Sequence, residues 1–430
     1  MGSMRRGRFP NNRSSDECNE AGRELNPYTP GAGHSPPFLA GREAEVEAFR
    51  KHLQQEQIMS NVVLTGLRGT GKTVLMEDKF KPTAQREGWA WVGSDFSESS
   101  FLNETNLCVR LLTDLAVFSS CLSVEVPDGT FGFDTGRRER SLSFDFLVTY
   151  FQSQPGLTVD KLKSTLELVW SVANSKGTRG IVFAYDEAQV VQDRADKEQY
   201  PLAVLLETFQ SLQRKGAKYF LLLTGLPTLF PRLVESRTYA ERMFAIQELG
   251  RLTTKASREA IEKPLQRTNW KFTEGAIKTI IEKSDGYPYF IQFICRETLD
   301  HVIAHPKDRA IPMDAIIRKL DSDFFAGRWE NVTDRQRELL YCIAALARDE
   351  EFTIAEIVEC SKKEGSKALG VKPFAPGDVS QILPRLIDKG LVYKNRLGKY
   401  CFAVPLFANF IQRRFSCRED LVLQKELFDR

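Results

Sequence analysis

An eight-residue run early in the chain has the composition and spacing to hold phosphate groups. It fits the pattern G-x-x-x-x-G-K-[ST], follows an apolar stretch at residues 61–65 and precedes a helical pattern from residue 74. Glycines let the backbone curl so that successive N–H groups face an anion, and the start of the next helix adds a favourable dipole. A glycine-rich turn without a ligand is the alternative. We expect a nucleotide phosphate site formed by Gly66, Arg68, Gly69, Thr70, Gly71, Lys72, Thr73 and Val74.

Side chains with defined chemistry stand inside this run and after a second apolar stretch. Lys72 would reach the β- and γ-phosphates of ATP, and the Thr73 hydroxyl would bind Mg²⁺. Residues 181–185 are apolar or aromatic and are followed by Asp186 and Glu187. We expect Asp186 to hold the hydrated Mg²⁺ and Glu187 to polarise the attacking water. Acids here can also cap a helix, but the phosphate-binding loop favours the catalytic interpretation.

Three further residues are catalytic candidates. Thr224 ends another apolar stretch, where its hydroxyl could lie between the two carboxylates and the γ-phosphate. A hydroxyl satisfied at an ordinary strand end is the alternative. Arg242, and after it Arg237, could supply positive charge to the γ-phosphate bound by a neighbouring subunit. A solvated helix face or a local salt bridge explains these arginines equally well.

The elements that must position these residues alternate between strand-like and helix-like patterns up to residue 249, which is typical of a parallel α/β sheet. A helical region broken by prolines follows. Three helices and a two-stranded hairpin then come in the order of a winged helix. The sequence predicts an α/β fold: a P-loop NTPase parallel-sheet core with a helical lid and a C-terminal winged-helix domain.

The expected boundaries follow from shifts in composition. Residues 1–25 should be a flexible basic arm, 26–250 the core, 251–328 the lid and 329–430 the winged-helix domain. A turn signal at Pro127-Asp128-Gly129-Thr130 predicts a β-hairpin near residues 122–136, with strands at 122–126 and 131–133. Its role is open.

Composition excludes several classes of protein. The 430 residues carry 60 Lys+Arg against 57 Asp+Glu, a net charge of +3, which excludes a polyanion-coated or histone-like protein. No apolar run is long enough to span a bilayer, and no apolar stretch follows the N-terminal arginines, so we expect a cytoplasmic protein with no membrane partner. Eight scattered cysteines without a CxxC pair favour reduced thiols and no zinc site.

Together these motifs resemble the AAA+ and STAND group of P-loop ATPases, particularly the branch related to origin-recognition initiators. The resemblance covers about residues 26–415. It implies that the segment at residues 36–43 covers adenine, through Phe38, Gly41 and Arg42. It also implies that Pro288, with Tyr289, approaches the nucleotide from the lid, although a helix-breaking turn would explain the proline too. The lid segment Gly286-Tyr287-Pro288 is closer to the Gly-x-Pro of STAND proteins than to the initiator pattern.

The partner of the winged helix is left open by the sequence. Basic residues outnumber acidic ones over residues 333–415, and Lys394, Arg396 and Lys399 could lie against the phosphates of double-stranded DNA. The expected recognition helix offers Ser380, Gln381 and Arg385 to base edges, which is little for sequence-specific reading. A protein contact is the alternative.

We therefore expect an ATPase that binds ATP and Mg²⁺ and hydrolyses ATP to ADP and phosphate. In the first interpretation it is an AAA+ switch that forms an ATP-dependent homo-oligomer and engages DNA through its winged helix. The alternative is a STAND-like signalling ATPase that regulates a partner effector protein, for example in anti-phage defence. A metabolic kinase is disfavoured, because Asp186 and Glu187 suit water as the acceptor.

Overall fold

The computed structural model describes residues 26–31, 34–58, 60–96, 103–127, 137–305, 311–346, 351–363 and 370–415. The arm predicted at residues 1–25 lies outside the described residues.

A five-stranded parallel sheet forms the centre of the core. The strands are β1 Asn61–Gly66, β2 Trp89–Val92, β5 Gly180–Tyr185, β6 Tyr219–Gly225 and β7 Phe244–Leu249. Their order in the sheet is β2-β5-β6-β1-β7, so β1, the strand before the phosphate-binding loop, lies between β6 and β7. Every residue of β1, β5 and β6 is buried, so both faces of these strands are covered.

Helices cover both faces of this sheet, as the alternating pattern predicts. Asn103 begins one of them by accepting a hydrogen bond from Asn106 N–H through its side chain. The helices of this region are Glu43–Leu53, Lys72–Leu75, Lys81–Arg86, Glu104–Ser119, Phe144–Ser153, Thr158–Ser175, Pro201–Arg214, Leu229–Ser236 and Ala240–Met243.

The helix after the phosphate-binding loop is longer than the pattern indicates. Lys72–Leu75 continues through a π-helical turn at Met76–Phe80 into Lys81–Arg86. The sequence predicts a helix that ends near Phe80. The π turn explains the difference, since the Lys81 N–H bonds back to Met76 O and Pro82 enters the first turn of the next segment, where a missing N–H is tolerated.

The predicted β-hairpin is present, with a second strand later than expected. β3 Ser123–Pro127 pairs antiparallel with β4 Arg137–Ser141, and Val124 lies opposite Arg140. The second strand predicted at residues 131–133 lies outside the described residues.

The lid consists of three helices, and a long helix leads from it to the C-terminal part. This linker helix spans residues 313–330 and contains a second π-helical segment, Asp321–Ala326, between Met313–Leu320 and Gly327–Glu330. The lid helices are Thr254–Leu265, Glu274–Ser284 and Pro288–Ala304.

The C-terminal part has the three helices and the hairpin expected for a winged helix. Phe352 forms an isolated antiparallel bridge with Tyr400, beside the hairpin. Phe325 of the linker helix packs on Phe410, with ring centroids 5.2 Å apart, so lid and winged helix share one apolar core. The elements are helices Asp334–Leu346, Ile354–Ser361 and Pro376–Asp388, strands β8 Val392–Arg396 and β9 Lys399–Phe402, and a helix at 407–415.

None of the described helices combines the length and apolar character that crossing a bilayer requires. None of the six cysteines in the described part of the chain forms a disulfide, and five of them are buried.

Candidate nucleotide-binding site

Glycine geometry makes the loop after β1 able to curl around an anion. Gly69 and Gly71 have φ angles of +80° and +88°, in the left-handed region that side chains disfavour. At Gly66 a Cβ atom would lie 2.6 Å from Leu249 O, so the strand end also requires glycine. The loop therefore has the conformation predicted for residues 66–73.

Lys72 lies inside this loop with its charge held by the backbone. Its Nζ donates to Gly66 O (2.9 Å) and to Leu67 O (3.1 Å), and the side chain is 7% exposed. Burial lowers the pKa of this ammonium group, while the nearby Asp186 carboxylate acts in the opposite direction. The lysine is thus positioned at the loop before any phosphate arrives.

Asp186 joins three elements at the carboxyl ends of the strands. Thr73 Oγ1 donates to one carboxylate oxygen, and Thr224 Oγ1 and the Glu187 N–H (2.8 Å) donate to the other. Register brings them together, because β6 lies between β1 and β5 and all three strands end at this edge. A hydroxyl and a carboxylate in direct contact are oxygen ligands of the kind that Mg²⁺ prefers. Thr73 and Asp186 therefore fit the predicted metal position.

Glu187 is held in an unusual backbone conformation beside this carboxylate. Its φ angle is +51°, and its side chain accepts a hydrogen bond from Gln189 Nε2. Gln189 Oε1 in turn accepts from Leu226 N–H (3.2 Å), just past β6. Gln189 was not predicted from the sequence, although it lies only three residues after Asp186. It positions the carboxylate of Glu187 against the end of the neighbouring strand.

A cavity of about 500 Å³ opens beside these groups. Its walls come from the strap at residues 29–42, the phosphate-binding loop, the lid and the linker helix. The predicted site residues among its lining are Phe38, Arg42, Arg68, Gly69, Gly71, Lys72, Thr73, Val74, Glu187 and Pro288.

The strap contributes through packing and through one buried arginine. Arg42 is 6% exposed, and its Nη2 donates to Gly250 O (2.8 Å) and Thr70 O (3.2 Å). It therefore braces the loop against the end of β7. Gly41 has φ +62°, and a Cβ atom there would lie 2.5 Å from Ala256 Cβ, so the strap approaches the lid closely.

The lid contacts the loop directly at the predicted position. Pro288 begins the helix Pro288–Ala304, and the N–H of the next residue, Tyr289, donates to Gly69 O (3.3 Å). A Cβ atom at Gly69 would lie 3.0 Å from Tyr289 Cβ. The lid thus closes one side of the cavity.

The cavity residues that sequence reasoning missed include Gln292, Asp323 and Arg328. Gln292 could have been found, because it follows Pro288 by four residues and so shares its helix face. Asp323 and Arg328 lie on the linker helix, and no local pattern connects that helix with the loop.

The two candidate arginines lie away from this cavity. Arg242 lies two residues before β7, at the start of the parallel strands, whereas the loop follows the end of β1. Five residue steps of about 3.3 Å separate the amino ends of the strands from their carboxyl ends. Arg242 is exposed and lines a second cavity of about 390 Å³ with Tyr239. Arg237 Nη1 donates to Ser236 O (3.0 Å), and its Nη2 lies 4.0 Å from Glu207 Oε2.

Comparison with solved structures reveals the same architecture elsewhere. The Walker-type ATPase of Pyrococcus abyssi superposes with a TM-score of 0.56 at 16% identity, over 87% of this chain and 96% of that one. The ORC2 protein of Aeropyrum pernix in its ADP form superposes with a TM-score of 0.51 at 14% identity, over 90% and 97% of the two chains. This chain has the fold of an ORC-like AAA+ P-loop ATPase.

Sequence comparison gives one family match, in the C-terminal part of the chain. Residues 322–411 match a domain family of unknown function, DUF8462. A search of the curated proteins gives no match. The resemblance to AAA+ ATPases and the predicted fold class are thus confirmed by structure.

Proposed function

We propose that the protein binds ATP with Mg²⁺ in the 500 Å³ cavity and hydrolyses it to ADP and phosphate. The observation that carries this proposal is the convergence of Thr73, Thr224 and Glu187 on the Asp186 carboxylate beside Lys72. Those are the groups that hydrolysis of a nucleoside triphosphate requires. The fold shared with a Walker-type ATPase, and the ADP form of the A. pernix ORC2 protein, support it.

Each residue has a definite task in this proposal. Thr73 and Asp186 would hold Mg²⁺, which neutralises charge that develops on the phosphates. Lys72 would exchange its two backbone acceptors for phosphate oxygens. Glu187, oriented by Gln189, would accept a proton from the attacking water. Thr224 would keep the Asp186 carboxylate in place.

The test is phosphate release by the wild type and by Glu187→Gln. We expect the variant to bind ATP within about twofold of the wild type and to release phosphate at least about 100-fold more slowly. Glu198→Gln is the matched control, since Glu198 also has a left-handed backbone (φ +52°) but is exposed outside the cavity. Equal hydrolysis by Glu187→Gln and the wild type would remove Glu187 as the base.

We propose further that ATP drives assembly of a homo-oligomer in which Arg242 of one subunit reaches the site of the next. The position of Arg242 supports this. It lies at the amino ends of the strands, whereas the site of its own chain lies at their carboxyl ends, so it cannot act on that site. It is exposed and has no ion-pair partner among the described residues. Light scattering of Glu187→Gln with ATP, with ADP and without nucleotide tests this. Growth in mass with ATP that Arg242→Ala abolishes is expected, and constant mass would contradict it.

DNA is the partner that we propose for the winged helix. Ser380, Gln381 and Arg385 are exposed on the helix Pro376–Asp388, and Lys394 is exposed in the hairpin. Arg396 is less available than the sequence indicates, because its Nε lies 2.9 and 3.0 Å from the Glu351 carboxylate oxygens. Titration of a short duplex at low salt should reveal binding that weakens as salt rises. Affinity independent of ATP and of Lys394→Ala would contradict this interface.

The STAND-like alternative is favoured by one contact. Arg68 Nη2 lies 3.7 Å from where a Cβ atom of Gly390 would stand, so the turn after the helix Pro376–Asp388 lies beside the end of the Arg68 side chain. A winged helix seated there could lock the nucleotide and release a surface for an effector protein. Growth in mass with ATP that is indifferent to DNA would favour this alternative.

A further inference from the structure

Gln292 is a buried side chain in the cavity wall whose acceptor has no partner. It lies on the lid helix Pro288–Ala304, is 7% exposed and lines the same cavity as the phosphate-binding loop. Its Oε1 atom is buried and accepts no hydrogen bond from the described residues. A buried amide oxygen without a donor raises the free energy of the folded protein. This position therefore favours a ligand that brings a donor.

The lid helix determines which part of a nucleotide this amide would meet. At the start of the helix the Tyr289 N–H contacts Gly69 O in the phosphate-binding loop. Two turns later Arg296 Nη1 donates to Tyr28 O (3.3 Å), immediately before the strap. Gln292 lies between these contacts, about 4.5 Å along the helix from Tyr289 at a rise of 1.5 Å per residue. The amide is thus displaced from the phosphate end toward the strap.

Part of the cavity lining is apolar and suits a flat ring. Phe38, Leu39, Ala40 and Ala260 line the same cavity as Gln292. Apolar side chains bind a ring by contact, and a polar group in the same cavity can orient it.

We propose that Gln292 recognises the adenine base, its Oε1 atom accepting a hydrogen bond from the 6-amino group. This inference rests on the proposed nucleotide site and specifies its base. An amide suits adenine because both present a donor beside an acceptor. Guanine has an oxygen where adenine has the 6-amino group, so an acceptor would face an acceptor.

The test compares ATP with purine riboside triphosphate, which lacks only the 6-amino group. The wild type should bind ATP about tenfold more tightly, the size expected for one buried hydrogen bond with its desolvation. Gln292→Leu should bind both nucleotides with equal affinity. Gln266→Leu is the control, because it makes the same change at an exposed lid position.

The outcomes separate this inference from the proposed function. Equal binding of both nucleotides by the wild type, or an ATP preference retained in Gln292→Leu, would overturn the role of Gln292. Gln292→Met provides a second variant of similar length if the leucine variant does not fold. Absence of binding of either nucleotide to the wild type would instead contradict the proposed site.

A different observation concerns Arg328 on the linker helix. Arg328 and Arg68 line the cavity on its phosphate side, and neither has a carboxylate partner in the described part of the chain. Arg328 donates to Phe324 O, and its Cζ lies 4.4 Å from the centre of the Phe324 ring. Burial and the charge of Arg68 both lower the pKa of Arg328. Two cations that repel each other beside Lys72 form a site for an anion.

We infer that Arg328 binds a phosphate group of the same nucleotide, so that the linker helix senses its presence. The π-helical segment Asp321–Ala326, an irregularity often found at functional positions, places Asp323 and Phe324 on the cavity as well. The helix is also part of the winged-helix core, since Phe325 packs on Phe410 and Arg413 Nε donates to Asp321 (2.9 Å). Phosphate binding is thereby connected with the winged helix.

Competition against a fluorescent nucleotide tests this inference with ADP and with adenosine. Arg328→Ala should weaken ADP about tenfold and leave adenosine within about twofold, as loss of one charge-assisted contact predicts. Arg318→Ala, an exposed arginine on the same helix, is the control. An unchanged ADP affinity, or equal losses for ADP and adenosine, would overturn the phosphate contact. A wild type that binds neither would contradict the proposed site itself.

Discussion

The two walls of the cavity differ in how their polar groups are satisfied. On the core wall, Lys72 donates to two backbone carbonyls, and Thr73 and Thr224 both donate to Asp186. On the lid wall, Gln292 Oε1 has no donor among the described residues, and Arg328 has no carboxylate partner there. The core wall is therefore complete without a ligand, whereas the lid wall keeps positions open for one.

Because of this difference, substitutions on the core wall should affect folding stability, and substitutions on the lid wall should affect nucleotide affinity. A substitution that removes a satisfied core-wall group leaves its partners buried without a bond, so it should cost stability even without nucleotide. Substitution of Gln292 on the lid wall removes a buried oxygen that has no donor among the described residues. It should cost affinity and leave the free protein nearly unchanged.

The largest expected effect is that of Lys72→Ala on nucleotide binding. Affinity for ATP should fall at least about 100-fold, because two charge-assisted phosphate contacts are lost. Isothermal titration measures this, with Lys79→Ala as the control, since Lys79 is exposed on the following π turn. ATP binding by Lys72→Ala at wild-type affinity would place the nucleotide elsewhere.

Arg42→Ala should lower the free energy of unfolding by about 2–4 kcal/mol without nucleotide, since Gly250 O and Thr70 O lose their buried donor. Urea denaturation measures this. Arg50→Ala is the control, because Arg50 is half-exposed and its only ion-pair partner among the described residues is Glu47. It should change stability by no more than about 0.5 kcal/mol. Equal small losses would mean that Arg42 does not brace the loop.

Thr224→Val should cost about 1–3 kcal/mol, because the Asp186 carboxylate loses a donor in a buried position. Thr208→Val is a matched control: both threonines are fully buried, but Thr208 Oγ1 has no partner among the described residues. Its replacement should be neutral or slightly stabilising. Thermal unfolding of the two variants measures the difference, and equal effects would contradict the contrast between satisfied and unsatisfied hydroxyls.

The smallest expected effect is that of Gln292→Leu on the free protein. Stability without nucleotide should stay within about 1 kcal/mol of the wild type, and any change should be toward greater stability, since an unpaired buried oxygen is removed. ATP should then stabilise the variant less than the wild type. A loss of more than about 2 kcal/mol without nucleotide would show that the amide has a structural role.

The sequence predicted the parts of the fold whose patterns are local. β1, β5 and β6 are continuous apolar runs that end in glycine, acidic or threonine residues, so both the strands and the residues after them were recognisable. The strand Phe244–Leu249 was not predicted, because it lies at the sheet edge and only two of its six residues are buried. The helix Phe144–Ser153 was also missed. The π-helical segments were not predicted either. Each contains one more residue per turn than an α-helix, and the hydrophobic periodicity of the sequence does not indicate this.

By itself the sequence determined the phosphate-binding loop and the carboxylates. The conformation and chemistry of these residues depend on their immediate neighbours in the chain, as at Gly69, Gly71, Lys72 and Asp186. Only the tertiary structure decided how the lid wall is built. Gln292 comes to the cavity from the lid helix Pro288–Ala304, and Arg328 comes to it from the linker helix. These positions arise from the packing of the lid and the winged helix into one apolar core, which depends on side chains far apart in the chain. The residues of the core wall could therefore be predicted from the sequence, whereas those of the lid wall could not.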